Sequence, residues 1–184
     1  LLAGLHASYV GAIGLIGSVL TPALVQSESP KSEVLFLYLT FVLGTSVATS
    51  DIRRWRWLDA ATLAASIIWP VLWIAGPWQQ GDELVVGLHL LALYGFRLFL
   101  NLGATGEEAG AVPQGRISTG LLIRASALLT GFFVIVLLDK GHDGAASLAV
   151  LAIYAAGSIG AAWAREKFLP AVAISAPVTV LGIA

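Results

Sequence analysis

The chain has 184 residues, of which 58% are hydrophobic and 11% are charged, and its mean hydropathy is +0.87. Soluble domains carry about 25% charged residues, so this composition indicates an integral membrane protein with several spans. The formal net charge of −1 argues against nucleic acid as a partner, because the chain has no broad basic surface to neutralise phosphates. Because the chain has no cysteine, disulfides and cysteine nucleophiles are excluded too.

The chain also lacks methionine, and both of its ends lie within apolar runs. We therefore expect a segment of a longer polypeptide. A cleaved signal peptide is the alternative explanation for the missing methionine, but it does not explain an apolar C-terminus.

Seven apolar runs follow one another along the chain and are separated by polar turns. Each is about 17–25 residues long, the length that an α-helix needs to cross a bilayer core. The sequence therefore predicts an all-α fold, a polytopic transmembrane helical bundle that forms one region over residues 1–184. The predicted spans are 1–25, 34–50, 58–78, 84–102, 117–138, 145–163 and 168–184.

Small residues recur four positions apart in the first and sixth spans, which lets helix backbones approach closely in lipid. In the sixth span they form the row Ala152, Ala156 and Gly160. We expect membrane lipids as partners and, at these faces, transmembrane helices of the same or another protein.

A basic and aromatic turn connects the second span to the third. Lys and Arg concentrate on the cytoplasmic side of membrane proteins and tryptophan concentrates at the interface, so this turn predicts the orientation of every span. With the turn inside, six basic residues fall on inner turns and two on outer turns. We expect a multi-pass protein of the bacterial inner membrane. The predicted interface residues are Arg53, Arg54, Trp55, Arg56, Trp57, Trp78 and Trp163.

Residues 54–60 and 165–171 share a pattern of Arg, a basic residue, an aromatic residue, Leu and Ala. Each segment opens a span with a proline near its middle, Pro70 or Pro177, and Pro70 is expected to kink its helix. Two explanations stay open. The chain repeats a helical hairpin, as some transporters do, or inner turns simply attract basic and aromatic residues.

Arg97 in the fourth span and Arg124 in the fifth are the most informative charged residues of the apolar runs. A charge within a span usually marks a function or a partner. The two arginines are predicted at similar depth, where they can bind an anionic lipid headgroup, a polyprenyl phosphate or a carboxylate. The alternative is that both extend to the inner headgroups, as long basic side chains near helix ends commonly do.

His89, Arg97 and Asn101 lie at multiples of four residues on the fourth span, which places them on one helix face. This polar stripe is consistent with a substrate or proton path, and equally with hydrogen bonds that join helices. The cluster of Asp139, His142 and Asp143 is interpreted as a solvated turn, so no metal and no cofactor are predicted.

The run from Gly14 to Val25 (GLIGSVLTPALV), a short polar turn, a span and then RRWRWL resemble a bacterial family of predicted multi-pass membrane proteins. This is the domain of unknown function 2339 family, and the specific part of the resemblance covers about residues 14–73. The resemblance implies a longer parent protein with many helices and implies no catalytic residue.

The leading functional hypothesis is transport or binding of an anionic or lipid-linked envelope molecule, through Arg97, Arg124, His89 and Asn101. One alternative is a membrane scaffold subunit that packs partner helices through its small-residue faces. The other alternative is a membrane enzyme that acts on a lipid-linked substrate. The common soluble-enzyme motifs are missing from the sequence, so no catalytic residue is predicted.

Overall fold

The computed structural model describes residues 2–24, 31–53, 55–103, 119–140 and 144–164, together with residues 173, 176 and 177. Within these ranges the chain forms six α-helices and no strand, which confirms the predicted all-α class. The helices are α1 (Leu2–Leu24), α2 (Ser32–Arg53), α3 (Arg56–Ala75), α4 (Asp82–Gly103), α5 (Thr119–Lys140) and α6 (Gly144–Ala164).

The predicted number of seven spans is not confirmed. Five helices, α2 to α6, are long and apolar enough to cross a membrane, whereas the apolar part described for α1 is the shorter segment Tyr9–Leu24. The seventh predicted span, 168–184, lies outside the described residues except at 173, 176 and 177. The third span ends earlier than predicted, at Ala75, because Gly76 precedes a proline and this position disfavours helical backbone.

Helix α4 lies at the centre of the bundle. It contacts α2, α3, α5 and α6, and its span is the most buried of the five. Leu90 and Leu93 belong to a core shared with α1, α2, α3 and α5, whereas Leu91 and Leu98 belong to a second core with α5 and α6. Two faces of α4 are therefore buried in the bundle, whereas the face with Leu88 and Phe99 is exposed.

The packing of α6 on α4 and α5 uses one face of α6. A Cβ atom at Gly87 of α4 would lie only 2.6 Å from Val150 Cγ2, so the two helices approach closely here. The Tyr154 hydroxyl donates to the Ala127 carbonyl of α5 at 2.8 Å, and the Tyr94 hydroxyl lies 3.0 Å from Ser158 Oγ. These contacts join three helices through hydrogen bonds in an apolar interior.

The row Ala152, Ala156 and Gly160 lies on the opposite face of α6 and is exposed within the described chain. A Cβ atom at Gly160 would meet no atom within 4 Å. The packing of this row against another helix therefore stays a prediction. The small-residue row is exposed because α6 turns its larger residues, such as Tyr154, toward α4 and α5. These larger side chains fill more of the space between the helices.

Candidate functional site

The geometry of the α3–α4 hairpin brings two charged residues to the same depth. Helices α3 and α4 are joined by the short turn 76–81 and must run antiparallel, so residues equally far from the turn face each other. Asp59 lies 75 − 59 = 16 residues before the end of α3, and Arg97 lies 97 − 82 = 15 residues after the start of α4. At 1.5 Å per residue these distances are about 24 and 22 Å.

Asp59 and Arg97 form a buried ion pair. Arg97 Nε donates to Asp59 Oδ1 at 3.1 Å, and the two side chains are 2% and 11% exposed, with Arg97 the more buried. An isolated charge in the interior of a membrane protein is costly, and an opposite charge at hydrogen-bond distance offsets much of that cost. The ion pair therefore joins the first turn of α3 to α4.

The second polar contact joins α2 to α4 through His89. His89 Nδ1 lies 2.7 Å from Thr40 Oγ1, and the same hydroxyl lies 2.6 Å from the carbonyl of Phe36. His89 is 2% exposed, and its Nε2 atom makes no hydrogen bond of good geometry within the described structure. The Thr40 hydroxyl has one proton, so the ring tautomer decides whether that proton goes to the imidazole or to the carbonyl.

A proline on α3 supplies a further polar group beside His89. Pro70 lacks the N–H that would otherwise donate to the Ser66 carbonyl four residues earlier, and α3 continues through this position as one helix. The Ser66 carbonyl lies against the His89 imidazole. Residue 66 lies nine residues before the end of α3 and residue 89 lies seven residues after the start of α4, so their distances from the hairpin turn are similar. Arg97 and His89 are thus two separate polar positions of the bundle interior on α4.

The other predicted site residues are placed differently. Arg124 is exposed on α5, in contrast to Arg97, which is fully inside the bundle. Asn101 belongs to the last turn of α4, and its side chain lies outside the described part of the structure. Asp59 and Thr40 complete the polar interior and were not predicted as site residues. The similar distances of Asp59 and Arg97 from the hairpin turn are the sequence signal that points to the pair.

The predicted interface residues occupy the ends of helices. Arg53 and Trp57 are exposed, Trp55, Arg56 and Trp78 are half-buried, and Trp163 is 92% exposed. Arg54 lies outside the described residues. Trp55 packs on α1 at Gly11, where an added Cβ would lie 3.1 Å from the indole ring. Trp55 therefore also contributes to helix packing, in addition to its predicted place at the interface.

The described ranges contain no cluster of side chains that could bind a metal ion. No group of three His, Cys, Asp or Glu side chains comes together there in an arrangement that can hold a metal ion. Asp139 is exposed at the end of α5, and His142 and Asp143 lie outside the described residues.

A helical bundle with five apolar helices of membrane-spanning length and an ion pair in its interior defines a multi-pass membrane protein. The sequence model of a protein family matches residues 1–184. This family is the domain of unknown function 2339 family, and its description is predicted membrane protein. The chain belongs to this family, and the resemblance expected from its sequence is confirmed. No curated protein and no solved structure matches it.

Proposed function

We propose that this protein binds and moves an anionic or lipid-linked envelope molecule whose phosphate or carboxylate group is recognised by Arg97. The observation that carries the proposal is the position of Arg97, whose side chain is 2% exposed on the central helix of the bundle. A charge inside a span costs at least a few kcal/mol and usually marks a binding or transport path. A guanidinium is also the cation whose geometry best matches phosphate and carboxylate groups.

Asp59 supports this role because its carboxylate has the same chemistry as the proposed ligand group. It contacts Arg97 Nε at 3.1 Å, so an anionic ligand has to compete with Asp59 for the guanidinium. The exchange of one anion for another keeps the buried cation compensated in both the empty and the occupied protein. In this proposal Asp59 holds the site when no ligand is bound.

The polar contacts around His89 extend the same interior. His89 lies 97 − 89 = 8 residues from Arg97 on α4, about 12 Å closer to the hairpin turn. Together with Thr40 and the Ser66 carbonyl, it provides polar groups for the proposed path of the ligand or of a proton.

The experiment is a comparison of Asp59→Asn and Arg97→Gln in the binding of undecaprenyl phosphate, measured by native mass spectrometry in detergent. Arg97→Gln is expected to weaken binding by about tenfold or more, because a hydrogen bond to a charged group contributes roughly 1.5–3 kcal/mol. Asp59→Asn is expected to tighten binding, because the variant removes the competing charge and keeps the side-chain size. Arg124→Gln is expected to weaken binding if the exposed arginine of α5 serves the same ligand.

Lys140→Gln is the matched control, since Lys140 is an exposed basic residue at the other end of α5 from Arg124. It should leave binding unchanged. A purely structural ion pair predicts that both Asp59→Asn and Arg97→Gln lower stability and binding together, and that outcome would overturn the proposal. Arg97→Lys keeps the charge and provides an intermediate test if Arg97→Gln does not fold.

A further inference from the structure

The polar groups around the His89 imidazole are hydrogen-bond acceptors. With the Thr40 hydroxyl donating to the Phe36 carbonyl at 2.6 Å, its oxygen is left to accept from His89 Nδ1 at 2.7 Å. The Ser66 carbonyl also lies against the ring, and Pro70 has removed its helical donor. A neutral imidazole has one N–H for these acceptors, whereas an imidazolium has two. A second proton therefore gives a donor role to the buried Nε2 atom, which has no hydrogen bond of good geometry in the described structure.

An aromatic ring also favours a cation at His89. The Phe36 side chain is buried, and the centroid of its ring lies 5.3 Å from that of the His89 ring. Aromatic rings attract cations within about 6 Å, and the attraction is stronger where water is excluded. The pocket around the imidazole thus stabilises a positive charge through a π-face as well as through oxygen atoms.

No charged side chain pairs with His89 in the described part of the chain. The described titratable side chains of α2 and α5 are exposed, and Arg56 is half-buried at the start of α3. Those inside the bundle belong to α3, α4 and α6 and are Asp59, Asp82, Glu83, Tyr94, Arg97 and Tyr154. Each of these has a partner other than His89. An imidazolium would therefore lack a counter-ion while Asp59 is paired with Arg97, so the ligand-free protein favours the neutral ring.

Ligand binding at Arg97 would change the charge around His89. In the proposed function an anionic ligand displaces Asp59 from the guanidinium, which leaves this buried carboxylate without its counter-ion. Asp59 lies against Arg97, eight residues from His89 on α4, or about 12 Å along the helix. Buried charges at such a distance are screened much less than exposed ones. A proton on His89 then compensates the charge of Asp59.

We propose that His89 takes up a proton from the aqueous phase when an anionic ligand replaces Asp59 at Arg97, and that it releases this proton when the ligand leaves. The step forms one N–H bond on the imidazole and needs no oxidant or reductant. Buried histidines and carboxylates are the groups that carry protons in membrane pumps and transporters. The inference rests on the proposed function and adds a coupled proton to it.

The test is the equilibrium binding of radiolabelled undecaprenyl phosphate to the purified protein in detergent, measured between about pH 5 and 8, where histidines commonly titrate. If binding takes up one proton, the affinity falls by up to about tenfold for each unit of rising pH. The phosphate of the ligand also titrates, so the decisive quantity is the difference between the unmodified protein and His89→Gln. We expect the slope of log affinity against pH to differ by up to about one between them.

Tyr94→Phe is the matched control, because Tyr94 is also a buried titratable residue of α4 but bonds to Ser158 of α6. This variant should keep the slope of the unmodified protein. An identical slope in His89→Gln and the unmodified protein overturns the proposal, and the proposed function survives that result if Arg97→Gln still weakens binding. Binding that does not depend on Arg97 contradicts both.

A second variant decides the question if His89→Gln does not fold. Pro70→Ala leaves His89 in place and restores a backbone N–H for the Ser66 carbonyl, which then has less capacity to accept from the imidazolium. We expect the pH profile of binding to move to lower pH in this variant. A profile that stays in place would refute the proposed role of His89, since a purely structural histidine predicts no shift.

Discussion

A single side chain can replace a backbone hydrogen bond that a proline removes from a helix of this bundle. Pro22 has no N–H, so the Ser18 carbonyl loses its helical donor, and the Tyr38 hydroxyl of α2 donates to that carbonyl at 3.1 Å. In lipid there is little water to replace such a bond. The sequence shows the proline, but only the arrangement of α1 and α2 shows which side chain replaces the missing donor.

Tyr38→Phe is therefore expected to lower the free energy of unfolding in detergent micelles by about 0.5–1.5 kcal/mol. In a Pro22→Ala background the same change should cost less, because position 22 then provides the N–H for the Ser18 carbonyl. Tyr9→Phe, at an exposed tyrosine of α1, is the control. Additive effects in the double variant would show that Tyr38 does not compensate for Pro22.

At the scale of helices, Gly87 of α4 lies against α6 more tightly than any other glycine in the described part of the chain lies against a neighbouring helix. A Cβ atom there would lie 2.6 and 2.9 Å from the two Cγ atoms of Val150, which are closer than van der Waals contact allows. Val150 is β-branched and buried, so it has little freedom to move away. Gly87 therefore sets the distance between the two helices.

Gly87→Ala is expected to destabilise the bundle by about 1–3 kcal/mol through overpacking. Adding Val150→Ala should recover part of this loss, because it removes both clashing methyl groups. Gly95→Ala is the control on the same helix, since a Cβ atom at Gly95 meets nothing within 4 Å. The measurement is thermal unfolding in detergent, and an equal loss for Gly87→Ala and Gly95→Ala would contradict the packing argument.

At the scale of the whole molecule, the distribution of basic residues predicts which side of the membrane each turn faces. The natural absence of cysteine makes single-cysteine variants a clean test. Asp51 and Gln80 are both exposed and lie at opposite ends of the bundle, near the α2–α3 and α3–α4 turns. Labelling of these two positions therefore reports the orientation directly.

We expect a membrane-impermeant maleimide to label Gln80→Cys in intact cells, and to label Asp51→Cys only after the membrane is opened, because the basic turn 51–57 is predicted to be cytoplasmic. Labelling of both variants in the opened sample controls for accessibility. The reverse pattern in intact cells would invert the predicted topology, while leaving the helix packing unchanged.

The helical character of this protein follows from the length of its apolar runs, and these can be counted in the sequence. Five of the seven predicted spans correspond to described helices of spanning length, α2 to α6, and Arg97 and His89 were recognised as polar residues within a span. The end of α3 was set by local chemistry at Gly76 and Pro77, which a count of apolar residues does not register.

Which face of each helix is buried was decided by the tertiary structure. In a membrane span nearly every face is apolar, so the periodicity that identifies the buried side of a soluble helix carries little information. The burial of Arg97 against Asp59, the exposure of Arg124 and the open small-residue face of α6 all depend on this choice. The sequence alone determined that the chain is helical and where the five long apolar helices lie along it. The pairing of its charges required the positions of α3 and α4 in space, because residues 38 positions apart meet only when the hairpin closes.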